Sequence, residues 1–315
     1  MLRAVRASPR APARILVAPA LVPGDLVGVV APGSVVDRDA VRSGAAVLEQ
    51  MGLRVRLGRS LLARHGIFAG DDRARAADLA AMLADEEVRA VHFARGGWGT
   101  SRFLETIPWR SLRAHPKLLI GYSDLTALFA PALDRSGIAS VYGPHVTEIG
   151  REAAWDRPSL ERAYFRPQEP LVLAFPARDV LAPGRASGRS AGGCLTLLAH
   201  LAGTPFAPRL RGRILILEEI AEPLYRIDRM MTQLRLAGML DGVRGALIGG
   251  LTDCGPSGGA RSASPAARLV ASFFEKRGVP VVSGLPFGHV DGKISVPIGF
   301  RVQLDTKRGR AVFLP

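Results

Sequence analysis

A chain of 315 residues has room for two domains and at least one full core. Hydrophobic residues make up 48% and charged residues 22%, which excludes a mainly disordered, collagen-like or coiled-coil chain; no apolar run approaches the roughly 18–20 residues that span a bilayer. The formal charge is +14, yet only four of the 42 basic residues are lysine, and the arginines are spread along the chain in no block or known motif, so neither nucleic acid nor membrane is expected as a partner. Cys194 and Cys254 form no disulfide framework, and neither has a zinc-finger spacing.

Residues 1–22 are rich in Arg and Ala, and the short apolar run Ile15–Ala18 is followed by Pro, which reads as an extension before the first domain. From Leu26 the pattern becomes regular. Leu26–Ala31 is a strand with a turn at Pro32-Gly33-Ser34, and Asp39–Met51 is a helix with Val41, Ala45 and Leu48 on one face. Leu53–Leu57 is a second strand. Asp71 caps a helix that runs to Leu83. Val88–Phe93 is a third strand ending in Arg95-Gly96-Gly97-Trp98-Gly99, and Lys117–Ile120 a fourth ending in Gly121-Tyr122-Ser123-Asp124. Strand and helix alternate, which predicts an open parallel sheet covered on both faces over residues 23–165.

Residues 166–190 carry several prolines and charges and read as a linker. A second α/β domain then spans 191–315. It holds strands at Arg213–Leu217, Ala246–Leu251 and Pro280–Val282, helices at Tyr225–Ala237 and Ala266–Lys276, a small-residue loop at Gly255–Ser264, and a closing hairpin of Arg301–Leu304 with Ala311–Leu314.

Four places could carry chemistry. Ser123 follows a buried-type strand and opens a helix, where a side chain stands exposed at the carboxyl edge of the sheet; Leu125 occupies the second glycine position of a nucleophile elbow. The glycine turn Arg95–Gly99 permits close backbone approach to a ligand but matches neither a Walker loop nor a dinucleotide fingerprint. Glu218, Glu219 and Glu222 follow an apolar strand, and a carboxylate there can orient a histidine. His289 sits in a Gly/Pro loop, whereas His65, His92, His115, His145 and His200 are less distinctive. The order Ser123, Glu218, His289 matches one class of triad, although order alone does not establish it.

These residues resemble the LD-carboxypeptidase family of serine peptidases, which includes the microcin C self-immunity proteins. The match is carried by Arg95–Gly99 with Arg102, by Pro116–Thr126, by Leu217-Glu218-Glu219-Ile220 with Tyr225-Arg226-Ile227-Asp228-Arg229, and by Gly288-His289 with Pro297-Ile298-Gly299. It implies a flavodoxin-like or glutamine-amidotransferase-like N-terminal domain and a smaller C-terminal α/β domain. It also implies Ser123 as nucleophile, Glu218 as acid and His289 as base. The backbone N–H groups of Asp124 and Gly97 would be oxyanion donors, with Gly96, Trp98, Arg95 and Arg102 near the substrate. A murein tetrapeptide losing its terminal D-Ala is the implied substrate, an aminoacyl-nucleotide antibiotic the alternative, and a non-catalytic binding protein a third. No metal or cofactor is implied, and the family is typically a cytoplasmic homodimer. Cys194 stands where the family usually has Asn, and Trp98 where Tyr is commoner.

Overall fold

The computed structural model describes residues 14–255 and 264–315. The described residues fall into two compact units, one of residues 14–168 together with 291–296, the other of residues 169–290 and 297–315.

The first unit begins with β1 (Leu26–Val30), β2 (Arg54–Leu57), β3 (Val88–Phe93), β4 (Leu118–Gly121) and β5 (Ser140–Tyr142). All pairings among them are parallel. β1 and β4 are buried along their whole length, which explains why they read as unbroken apolar runs without alternation. Helices follow the strands because their starts are marked. Asp37 accepts Ala40 N–H at 2.8 Å ahead of the helix Arg38–Gln50, and Asp71 accepts Ala74 N–H at 2.7 Å ahead of Asp72–Ala84. The first of these helices turns Val41, Gly44 and Leu48 inward. Gly44 is required there: a Cβ would stand 1.8 Å from the Val146 carbonyl oxygen, so the clash outweighs the helix propensity an alanine would add.

Residues 14–22 differ from the expected extension. Leu16 bridges Ile138, Leu21 N–H donates to Tyr164 O at 2.9 Å, and Ala18 and Leu21 lie in the core with Val27, Leu48 and Ile120. The apolar run Ile15–Ala18, though short, docks on the first unit. Residues 1–13 fall outside the described part of the chain.

The second unit carries β6 (Leu171–Ala174), β7 (Val180–Ala182), β8 (Arg185–Cys194), β9 (Arg213–Ile220), β10 (Gly245–Thr252), β11 (Val281–Val282), and, after β12 (Val296–Ile298), the hairpin β13 (Arg301–Asp305) and β14 (Arg310–Leu314). The sheet orders are β12-β5-β4-β3-β1-β2 and β6-β14-β13-β8-β9-β10-β11-β7. β8 to β11 run parallel in the middle of the second sheet and antiparallel strands flank them. The segment 166–190 is therefore sheet rather than linker. Its prolines sit between short edge strands, where a missing N–H costs nothing. The glycine-rich loop expected at 255–264 lies largely outside the described residues.

His92 on β3 is fully buried, with Nδ1 2.7 Å from the Tyr164 hydroxyl and Nε2 2.7 Å from Pro144 O. Burial, partly opposed by the Pro144 contact, pushes its pKa down to about 4. The unfolded chain thus binds a proton below about pH 6.5 that the native state refuses until about pH 4, so stability rises with pH across that window. Urea unfolding at pH 4.5 is expected to show about 2–3 kcal/mol less stability than at pH 7 from this group. His92→Gln should flatten the difference; an unchanged pH slope in that variant would show that His92 is not its source.

Candidate active site

The chain leaves β4 at Gly121, passes through extended Tyr122, and turns at Ser123, whose φ is 60°. A left-handed conformation in a non-glycine residue costs of order 1–3 kcal/mol and persists only where the surroundings impose it. A single 3-10 turn, Ser123–Leu125, leads into the helix Thr126–Pro131 and then a wider turn over Ala132–Ser136, so the helix expected here is short and irregular. Ser123 is half-buried while Asp124 beside it is fully buried.

The glycine turn lies against this elbow. A Cβ on Gly96 would stand 3.1 Å from Ser123 Cβ and 3.3 Å from Asp124 N. Thr100 donates its N–H and its hydroxyl to Asp124 Oδ2, at 2.9 and 2.7 Å. Burial holds the Asp124 carboxyl above its ordinary range, against the pull of those bonds. Its side chain is thus a tether from the elbow to the turn. Ser34 completes the arrangement: its N–H donates to Gly96 O at 3.1 Å, and its hydroxyl accepts Trp98 N–H at 3.2 Å. Gly97 has φ 82°, and a Cβ there would meet Ser34 Oγ at 2.2 Å.

The two arginines differ. Arg95 is exposed and donates from Nη1 to Val35 O at 2.8 Å. Arg102 donates from Nε to both carboxylate oxygens of Asp72 at 2.9 Å, and its guanidinium lies 5.2 Å from the centre of the Phe68 ring. Arg102 was expected near the substrate; in the structure its guanidinium is paired with Asp72.

In the second unit, Glu218 is fully buried at the end of β9. Its Oε2 accepts both His289 Nδ1–H at 2.7 Å and His289 N–H at 3.1 Å. Gly288 makes this possible, with φ 85° and no room for a Cβ, which would stand 2.4 Å from the same oxygen. The loop is docked on β10 as well. Gly250 N–H donates to Phe287 O at 2.9 Å, and the Thr252 hydroxyl donates to His289 O at 2.6 Å. Glu219 turns the other way, as successive strand residues must. It accepts Thr196 N–H at 2.7 Å and Ile220 N–H at 2.9 Å, with Cys194 Sγ 3.6 Å from each oxygen. Burial raises the Glu219 pKa. Glu222 lies 3.4 Å from Arg226. Burial pushes the Cys194 thiol well above its usual range and the Cys254 thiol up to about 11, so neither is poised as a thiolate.

Sequence reasoning passed over His145. It stacks on Tyr122 with ring centres 4.3 Å apart, and Glu148 nearby accepts from the Tyr122 hydroxyl at 2.8 Å and from Lys293 Nζ at 3.1 Å. Burial pushes Glu148 up, but His145 and Lys293 outweigh it and leave the carboxyl below its usual range. Only the apolar frame around His145 and the Gly-Pro before it hinted at a buried polar cluster.

Among the described residues no group of three or more metal-binding side chains occurs, and no helix is long and apolar enough to cross a membrane. The family model of the LD-carboxypeptidase N-terminal domain matches residues 27–143, and that of its C-terminal domain residues 187–304. A candidate carboxypeptidase of Streptomyces coelicolor is 40% identical over 303 residues, covering 94% of this chain and 96% of its own. The microcin C7 self-immunity protein of Escherichia coli is 23% identical over 325 residues, covering 92% and 93%. The crystal structure of a muramoyltetrapeptide carboxypeptidase from Oxalobacter formigenes superposes with a TM-score of 0.79 at 29% identity, covering 91% of this chain and 97% of that one. With both halves matched by the family's own domain models, the chain belongs to the LD-carboxypeptidase family and is a serine-type hydrolase.

Proposed function

We propose that Ser123, Glu218 and His289 form a triad that removes the terminal D-Ala from murein tetrapeptides through an acyl-enzyme. The observation that carries the reading is the 2.7 Å bond from His289 Nδ1 to Glu218. It commits Nδ1 to the carboxylate, and in this reading Nε2 acts as the base. In this mechanism Ser123 Oγ attacks the carbonyl carbon while Nε2 takes its proton. The oxyanion is held by the N–H groups of Asp124 and Gly97. Nε2–H then protonates the departing amine, and water repeats the sequence on the ester. Homodimeric assembly and a cytoplasmic location belong to the same proposal. The Oxalobacter structure supports the murein substrate by its own named activity.

A second reading, hydrolysis of a microcin C-like aminoacyl-nucleotide, draws its support from the Escherichia coli self-immunity protein. Both readings use the same residues and chemistry. Assaying the purified protein on murein tetrapeptide and on an aminoacyl sulfamoyl nucleoside separates them: turnover of the nucleoside alone would replace the murein reading.

Three outcomes are expected. Ser123→Ala should lose about three or more decades of turnover with an unchanged circular-dichroism spectrum; activity within tenfold of the unsubstituted chain removes Ser123 as nucleophile. Gly288→Ala forces a Cβ against Glu218, so kcat should fall by about a hundredfold or more, and a variant of normal rate would mean that the Glu218–His289 bond is dispensable. A terminal carboxylate is taken to be read by cationic groups, with Arg95 the candidate once Arg102 is assigned to Asp72. Amidating the tetrapeptide's C-terminus should then slow cleavage about tenfold, or about 1.4 kcal/mol of transition-state binding. Equal rates on acid and amide would show that the carboxylate is not recognised.

A further inference from the structure

We propose that Tyr142 and His145 are positioning residues that clamp the peptide group between Tyr122 and Ser123 at both of its polar ends. The inference rests on Ser123 being the nucleophile. The left-handed φ of Ser123 is a rotation about its own N–Cα bond, and this peptide group is one of the planes that the rotation relates. Fixing the group therefore fixes the direction in which Cβ and Oγ project.

At the N–H end, Ser123 N donates to the Tyr142 hydroxyl at 3.0 Å. At the carbonyl end, Tyr122 O lies 3.2 Å from His145 Nε2, and it also accepts Leu125 N–H from the turn at 3.2 Å. The same ring nitrogen is 3.4 Å from Tyr122 N, the longer contact. On the other side of the ring Nδ1 lies 3.4 Å from Glu148 Oε2, and the same carboxylate accepts His145 N–H at 2.8 Å. The clamp takes the shorter Nε2 contact, with Nε2–H donating to Tyr122 O and Nδ1–H directed at the carboxylate.

The ring is held on every side. It is 4% exposed, stacks on Tyr122, and faces Gly96, where even an added Cβ would be 3.2 Å from its Cε1. Glu148, which fixes its orientation, is itself tied to Lys293 and the Tyr122 hydroxyl. Both clamping residues come from one four-residue stretch, Tyr142-Gly143-Pro144-His145, that leaves β5. Gly143 N–H donates to Gly121 O at 3.1 Å, which carries the sheet's pairing to the last residue before the elbow. Acyl transfer needs neither side chain as acid or base. Their service is geometric: a left-handed residue relaxes when its peptide group is released, and displacements of about 1 Å at a nucleophile can cost a hundredfold in rate. With its own N–H given to Tyr142, Ser123 also leaves the oxyanion role to Asp124 and the glycine turn.

The test uses Tyr142→Phe, His145→Ala and His145→Gln, assayed on murein tetrapeptide and by the rate of labelling with a fluorophosphonate, which needs no knowledge of the substrate. Tyr142→Phe and His145→Ala should each lower kcat about tenfold or more with KM within about twofold, and labelling should slow in proportion. His145→Gln offers an amide N–H in place of Nε2–H and should recover kcat to within about threefold. A general loss of folded protein would lower the labelled fraction without slowing the labelling of what remains. The clamp is overturned if either truncation stays within threefold of the unsubstituted rate, if Gln is as slow as Ala, or if KM rises while kcat holds. Should His145→Ala not fold, Tyr142→Phe, which keeps the ring and loses only the hydroxyl, decides. Ser123→Ala separates the two ideas. A dead Ser123→Ala beside normal clamp variants sinks the clamp alone, whereas an active Ser123→Ala removes the nucleophile assignment and the clamp with it.

Discussion

The left-handed backbone at Ser123 is the constraint around which the first unit is arranged. A non-glycine residue with φ 60° has to be held there. Gly96 supplies the space, since any side chain at that position would press on Ser123 and Asp124. Asp124 supplies a tether through Thr100, and Ser34 secures the glycine turn from its other side. Three loops, each following a parallel strand, converge at the carboxyl edge of one sheet. That edge is where open α/β sheets place their reactive groups, because strand ends and helix starts bring backbone N–H groups together there.

Buried acids show how charge is managed in a strongly basic chain. Asp124, Glu148, Glu218 and Glu219 are all largely withdrawn from water, yet no arginine pairs directly with any of them among the bonds described above. Their partners are backbone amides, hydroxyls, an imidazole and one lysine. Amides and hydroxyls satisfy a carboxylate while leaving its charge in place, and a guanidinium would cancel it. The arginines take exposed pairs instead, such as Arg54 and Arg56 with Glu87, which contribute little to stability. Arg75 is a buried exception, its guanidinium bonded to Asp72 and Pro32 O and packed on Phe68.

Much of the fold was legible because parallel strands buried on both faces leave uninterrupted apolar runs. Val88–Phe93 and the helix behind Asp71 stand where the pattern puts them, to within a residue or two. Residues 166–190 misled because β6 and β7 are short edge pieces with prolines between them and β8 opens on Arg, Ala, Ser and Gly, and such strands carry little alternation. The docking of Leu16 and Leu21 was hidden by the arginines around them. Within the site, Glu218 could be placed by its position at a strand end, while Arg102 could not be distinguished from a ligand contact, since pairing with Asp72 30 residues earlier leaves no local trace. His145 was invisible for a related reason. Its importance comes from Tyr122, Glu148 and Lys293, the last of them almost 150 residues further along the chain.

The return of residues 291–296 to the first unit has a consequence during synthesis. Lys293 is almost fully buried, donating to Glu148 and to Ala154 O at 3.0 Å, and Ser295 N–H donates to the Ser159 hydroxyl at 2.9 Å. A ribosome releases the amino-terminal part first, and domains generally fold in that order. Here Glu148 emerges with the Tyr122 hydroxyl and the His145 N–H as its donors, while its lysine, Lys293, is still unmade. The lysine bond to Glu148 is thereby made late, after the segment bearing Glu218 and His289 already exists, and a product ended before residue 293 would lack it.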